Sequence, residues 1–256
     1  MATVASVDGK VVIVTGAARG VGKGISTALI ERRASVLLVD RDEGMLTRTA
    51  EGLRAAGGSV DVLVADLRDR DCANRIVDSA LTTFGGLHGL VNNAIATNEP
   101  KPFQAITRED YDLVFDVGPR ATFELMQAAY PVFADNGGGS IVNLGSGSGT
   151  VGKPKFGAYA AAKEAIRGMS KVAALEWGRL NIRVNVVCPF AETESISMWR
   201  ELAPESYERT LRGVPMGRLG DVGSDIGPVV CFLLGDDSSF VTAQTIMVDG
   251  GAAGFR

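Results

Sequence analysis

Residues 11–22 read V-V-I-V-T-G-A-A-R-G-V-G: an apolar run from Val11 to Val14, a turn holding Thr15, Gly16, Arg19, Gly20, Val21 and Gly22, and the opening of a helix-forming segment. Glycine in such a turn lets the backbone bend tightly and approach a pyrophosphate, which sits on the free N–H groups and positive end of the helix that follows. Glycine-rich turns alone are common. Strand, glycine turn and helix at the head of a repeating strand–helix pattern together signal dinucleotide binding. The next apolar run ends at Asp40, about 20 residues on, where a carboxylate can accept from the ribose hydroxyls of NAD. The same charge repels the extra phosphate of NADP. Arg19 and Arg41 are cations near that place and able to hold such a phosphate. The carboxylate at the strand end favours NAD, with NADP as the alternative.

The pattern continues outward from this stretch. Short apolar or β-branched runs fall at Val11–Val14, Val36–Val39, Val60–Val64, Gly89–Val91, Ser140–Leu144, Ile182–Val187 and Thr245–Val248. Between them lie helix-forming segments near Gly20–Arg33, Glu43–Ala56, Arg70–Phe84, Arg108–Phe133, Gly157–Gly178 and Asp221–Leu234. Alternation of this kind predicts an α/β fold, a doubly wound, Rossmann-like, mostly parallel sheet of about seven strands with helices on both faces. The first four runs are nearly all apolar, as expected of strands covered on both sides. Gly57-Gly58, Gly85-Gly86 and Gly137-Gly138-Gly139 each follow a helical segment, where glycine can take the left-handed closing conformation. No linker or repeat interrupts residues 1–256, which read as one domain. One segment breaks the rhythm: Phe190–Gly213, carrying Met198, Trp199 and Tyr207, is too long for a tight connection and reads as a substrate lid.

A second stretch carries chemistry. From Asn143 to Lys163 the chain reads N-L-G-S-G-S-G-T-V-G-K-P-K-F-G-A-Y-A-A-A-K. Tyr159 and Lys163 stand four apart in an alanine-rich segment and project from one helical face. A cation one turn from a phenol lowers a pKa that is otherwise about 10, making tyrosine a usable proton carrier near neutral pH. An isolated Tyr-x-x-x-Lys reads better as a surface helix with a solvated lysine; the rest of the chain raises it. Asp66-Leu67 follows the third run and Asn92-Asn93-Ala94 the fourth, at strand ends where open α/β sheets bind ligands. Either motif alone is also a good turn signal.

Composition narrows the function classes. A net charge of −4 offers nucleic acid and anionic lipid no electrostatic footing, and no apolar run approaches the length of a membrane span. Cys72, Cys188 and Cys231 are odd in number, far apart and without Cys-x-x-Cys or histidine partners, as expected of reduced, packed thiols rather than a disulfide or metal framework. His88 is the only histidine, beside an apolar run, and reads as structural. The N-terminus lacks a basic leader and reads as mature cytoplasmic sequence.

In one order, T-G-x-x-x-G-x-G, Asp40, Asp66, N-N-A, Ser146, Tyr159-x-x-x-Lys163 and Val248-Asp249-Gly250-Gly251 resemble the short-chain dehydrogenase/reductase family across essentially the whole chain. The resemblance implies an NAD(P)-dependent oxidoreductase moving a hydride between the nicotinamide and a small or medium, largely apolar alcohol or ketone. Tyr159 is then the general acid/base, Lys163 the residue that holds the nicotinamide ribose, and Ser146 the donor that orients the carbonyl. Asn92 and Ala94 then line the adenosine side, Val187-Cys188-Pro189 passes near the nicotinamide, Thr193 grips its carboxamide, and Thr15 supports the glycine turn. It implies a homotetramer built on Arg108–Phe133 and Gly157–Gly178, with Gly251–Arg256 near another interface.

Four departures accompany the likeness. Gly118 stands where the family has an asparagine that relays protons, Ile95 and Phe190 replace glycines near the cofactor, and Glu194 takes the usual place of the carboxamide-gripping threonine. Gly118, Ile95 and Phe190 motivate an alternative, a nucleotide-binding module with weak or lost turnover. A non-redox lyase such as a dehalogenase is less consistent with the glycine turn and Lys163. Glu192 and Glu194 speak against an anionic substrate.

Overall fold

The computed structural model describes residues 7–253. Residues 1–6 and 254–256, which include the start read as mature cytoplasmic sequence and the end of the expected C-terminal interface segment, lie outside them. Seven strands, β1 (Val11–Thr15), β2 (Ser35–Asp40), β3 (Ser59–Val64), β4 (Gly89–Asn92), β5 (Gly139–Leu144), β6 (Ile182–Pro189) and β7 (Thr245–Val248), form one sheet ordered β3-β2-β1-β4-β5-β6-β7. Every pairing is parallel. The order reverses between β1 and β4, which opens a crevice at their carboxyl ends.

Successive strand residues face opposite sides, so one strand feeds two cores. Val12, Val14, Val36 and Leu38 pack with Ile25 and Leu29 of α1 (Gly20–Glu31), Leu46 and Leu53 of α2 (Glu43–Ala55), and the far C-terminal helix. Val11, Ile13, Leu37 and Val39 pack on the other face with Ile76 of α3 (Cys72–Phe84) and residues of the two long helices described next. The edge strand β3 differs from expectation. Its residues are half-buried or exposed because only β2 flanks it, so its apolar sequence does not reflect cover on both sides.

The segment expected as one helix over Arg108–Phe133 is divided. α4 (Arg108–Phe115) starts on a reciprocal cap in which Thr107 and Asp110 satisfy each other's backbone N–H groups. A wider π turn, Asp116–Arg120, contains Pro119, and α5 (Ala121–Asp135) follows. Proline has no N–H to return to the preceding turn, and the helix widens there. A short helix α6 (Gly147–Val151) precedes the long α7 (Gly157–Trp177). The segment 190–213 forms α8 (Glu194–Leu202), capped by Thr193, and α9 (Pro204–Arg212). A second π turn, Val222–Ile226, leads into α10 (Gly227–Leu234), the C-terminal helix that completes the first core.

A buried amide network joins the sheet to α7. Asn92 Nδ2 donates to Asn143 Oδ1 at 2.8 Å, and Asn143 Nδ2 donates to Ser170 Oγ at 2.8 Å. Ser170 in turn donates to the Ile166 carbonyl at 2.6 Å. Asn92 is therefore spent inside the protein and does not line the adenosine side, because its side chain points along the sheet rather than out of the strand end. His88 Nδ1 accepts from the Val11 N–H at 3.0 Å, which requires a neutral ring; burial pushes its pKa down in the same sense.

Candidate active site

The glycine turn is held from behind. The Thr15 hydroxyl donates to the Val91 carbonyl at 3.3 Å and accepts from the N–H groups of Asn93 and Ala94, each at 3.1 Å. Asn93 Nδ2 donates to the carbonyls of Thr15 at 2.8 Å and Gly16 at 3.1 Å. These bonds fasten the carboxyl ends of β1 and β4 together. A Cβ on Gly16 would stand 2.8 Å from Asn93 Nδ2, and one on Gly22 would strike the Gly16 carbonyl oxygen, so only glycine fits either place.

A cleft of about 350 Å³ opens beside this turn. Gly16, Arg19, Gly20, Val21, Asp40, Arg41, Asp66, Leu67, Asn93, Ala94 and Thr193 line it, so most of the residues expected to hold a dinucleotide come together. Gly22 supports the turn from below. Pro189 ends β6 and pairs with Val248, and neither it nor Phe190 lines this cleft. The backbone of Phe190 is clasped instead between the Val248 carbonyl and the Gly220 N–H, each at 3.0 Å. Val39, Ala65 and Thr97 also line the cleft and were not anticipated. Val39 lies in β2 and Ala65 directly follows β3, so reading the flanks of each strand, apolar residues included, finds these two; Thr97 lies five residues past β4, in the loop, and carries no such signal.

The cleft suits a dinucleotide chemically. Arg19 precedes α1 and gives it no side-chain cap, so the first N–H groups of the helix are available to an anion. Asp40 stands at the end of β2 with one oxygen accepting from Ala18 N–H and the other from Asp42 N–H, each at 3.1 Å. The Arg68 guanidinium forks onto Asp66 at 2.6–3.1 Å and holds its carboxyl down at about 2. Glu194 comes over the opposite wall, 3.6 Å from where a Cβ on Gly20 would stand.

The three polar groups of the Asn143–Lys163 stretch converge beyond this cleft. Ser146 caps α6 and accepts from the Ser148 N–H at 3.1 Å. Lys163 is buried, and its Nζ donates to the Leu144 carbonyl at 2.7 Å while standing 5.7 Å from the centroid of the Tyr159 ring. Burial pushes the Tyr159 phenol up from its ordinary value, opposed by the nearby Ser146 hydroxyl. The expected downward shift is thus reversed: desolvation of the phenol outweighs what its neighbours offer. Burial also brings Lys163 down to about 8. Cys188, beside both, is held up at about 11 by burial and stays a neutral thiol.

Two of the departures prove to be partners. A Cβ on Gly118 would lie 2.6 Å from Ile95 Cδ1 and 4.0 Å from the Ala162 Cβ. Ile95 packs with Val114, Ala158 and Ala162 in a small apolar cluster between α4 and α7. The isoleucine therefore fills space that a larger residue at 118 needs.

A family model described as enoyl-(acyl carrier protein) reductase matches residues 16–253. A 12α-hydroxysteroid dehydrogenase from a Clostridium species is 40% identical over 252 residues, covering 95% of this chain and 96% of that one. A 3-ketoacyl-(acyl carrier protein) reductase from Brucella melitensis, solved with NADH, is 28% identical with a TM-score of 0.88, over 97% of this chain and 100% of the other. A dehydrogenase from Beutenbergia cavernae, solved with NADP at low occupancy, is 28% identical with a TM-score of 0.90, over 98% and 99%.

The Ile95–Gly118 contact makes the two positions interdependent. Gly118→Asn alone is expected to lose about 1–3 kcal/mol of stability through overpacking, without gain in rate. Adding Ile95→Gly should recover most of the loss. Chemical denaturation of the single and double variants measures this; equal stability of Gly118→Asn and the native chain would contradict it.

Proposed function

This chain belongs to the short-chain dehydrogenase/reductase family, and we propose that Ser146, Tyr159 and Lys163 perform its reaction as carbonyl donor, proton carrier and ribose-holding cation. The chain is an oxidoreductase that transfers a hydride between a nicotinamide cofactor and an alcohol or ketone. The observation that supports the assignment is the meeting of the three side chains where β5 ends, with the Ser146 hydroxyl near the phenol and the Lys163 ammonium 5.7 Å from the centre of its ring.

Ser146 and Tyr159 both donate to the substrate oxygen and hold the carbonyl in place. In reduction the phenol, half-buried and kept protonated by desolvation, passes its proton to that oxygen. In oxidation Tyr159 takes the proton back, and the Lys163 ammonium stabilises the phenolate that precedes this step. The nicotinamide, when bound, accepts or gives the hydride and in its oxidised form adds a positive charge near the phenol. Gly16, Arg19, Gly20, Val21 and Gly22 would hold the pyrophosphate on α1. Asp40 and Arg41 would meet the adenosine ribose, with Asp66, Leu67, Asn93 and Ala94 at the adenine. Pro189 and Thr193 would flank the nicotinamide end, with Tyr159 and Lys163 on its ribose.

NAD is the preferred cofactor in this reading. Both Asp40 oxygens are tied to backbone N–H groups, so the carboxylate cannot swing away from an added phosphate. Residues 1–256 work as one unit, with 190–213 as the substrate lid. The likeness to active oxidoreductases disfavours a module without turnover. Three free, buried cysteines support a cytoplasmic setting. No helix among the described residues is long and apolar enough to cross a membrane. A homotetramer is supported by Phe123, Val172 and Leu175 of α5 and α7, which leave apolar surface in the open beside a groove, and by the fully exposed Phe240.

Tyr159→Phe should reduce turnover at least about a thousandfold while NADH affinity changes little, because only the proton-carrying hydroxyl is lost. Steady-state rates with ketones, paired with NADH titration, decide it; near-native rates would sink the assignment. Asp40→Ala should raise kcat/KM for NADPH relative to NADH by about tenfold or more, and an unchanged ratio would remove the argument for NAD. Light scattering should find a particle of four chains.

A further inference from the structure

A series of ring contacts runs outward from the catalytic phenol. Phe156 meets Tyr159 edge-on, with centroids 6.3 Å apart. Lys153 Nζ stands 4.7 Å from the Phe156 centroid and 5.5 Å from that of Trp199 in α8. Trp199 then meets Tyr207 of α9 edge-on at 5.5 Å. An ammonium is thus framed by two aromatic rings, one on the loop before α7 and one on the lid, while its side chain remains open to solvent. None of the ion pairs among the described residues includes Lys153.

The frame holds this charge between two aromatic rings with no ion-pair partner among the described residues. The rings shield part of the ammonium from water, and their quadrupoles return only part of the hydration lost there. An anion at the same place, with water partly excluded, would return more. The carboxylates that spoke against an anionic substrate are committed elsewhere. Glu192 accepts from Ser197 Oγ at 3.0 Å, pairs with Arg200 at 3.2 Å and lies 3.5 Å from the Tyr207 hydroxyl. Glu194 lies over the glycine turn, on the cofactor side.

We propose that Lys153, framed by Phe156 and Trp199, determines specificity by receiving a carboxylate at the far end of a substrate whose carbonyl or alcohol reaches Tyr159. The apolar middle of such a substrate lies along the two rings, and closure of the lid brings Trp199 onto it. The inference rests on the hydride-transfer reading and names the substrate class for it: oxo acids and hydroxy acids with the carboxylate well separated from the reacting carbon.

The test offers the enzyme 5-oxohexanoate, 4-oxocyclohexanecarboxylate and 3-acetylbenzoate, each beside its methyl ester, with NADH and with NADPH. For at least one pair, kcat/KM for the acid should exceed that for the ester by about tenfold or more, with the difference in KM. Lys153→Gln should abolish the preference while leaving ester rates within about twofold, and Lys153→Arg should keep most of it. Acids no better than esters in every pair would overturn the proposal. So would an equal loss for acid and ester in Lys153→Gln, since a lysine that merely latches the lid would affect both alike. If the native enzyme reduces no member of any pair, the substrate class is wrong. Failure of Tyr159→Phe to lose activity would instead strike the hydride-transfer reading.

Discussion

The Lys163 ammonium is driven into the interior and given to the Leu144 carbonyl at the end of β5. Much of the surrounding structure follows from housing that charge. Strand carbonyls run out of ladder partners at the carboxyl end of a sheet, and Leu144 supplies one. The helix carrying the lysine must come close, and Ala158 and Ala162 on its buried face let it do so. Burial pulls the ammonium from its ordinary pKa of 10.5 to about 8. Because the folded value lies below the unfolded one, charge burial costs stability in full below pH 8. The cost fades as pH rises from there to the ordinary lysine value. By the size of that shift it is on the order of 3 kcal/mol at neutral pH. The rest of the fold must carry it, as cores commonly do for functional sites.

The same dry surroundings act on Tyr159 in the opposite sense chemically: a phenol loses its anion, an ammonium its cation. Both shifts disfavour charge, and a protonated tyrosine is the form needed to reduce a ketone. The neutral Cys188 thiol adds no anion beside them. The resting site therefore favours proton donation, and proton removal depends on the positive charges gathered there in the oxidative direction.

The strand–helix alternation, the approximate strand limits and the glycine turn were legible because each rests on a short-range pattern: apolar runs, helix-forming segments between them, glycines at fixed places. The convergence of Ser146, Tyr159 and Lys163 was legible for the same reason, being carried by one continuous stretch. What escaped depends on distance between remote residues. Gly118 and Ile95 each look like a loss when taken alone, and only their contact shows that one occupies the other's space. Asn92 looks like a cleft residue until Asn143 claims its amide. The apolar sequence of β3 reads as interior although no strand among the described residues pairs beyond it. The direction of the Tyr159 shift failed because a spacing of four residues reports a neighbour and says nothing of water.

The chain of amides from Asn92 through Asn143 to Ser170 ties β4, β5 and α7 into one block. Breaking any link strands a polar group where no solvent reaches, so the block resists small slides that purely apolar contacts would tolerate. Its backbone amides should exchange only on global opening, and thermal motion is left to the periphery. The catalytic groups thus belong to the anvil of the molecule, and the two lid helices to its hammer.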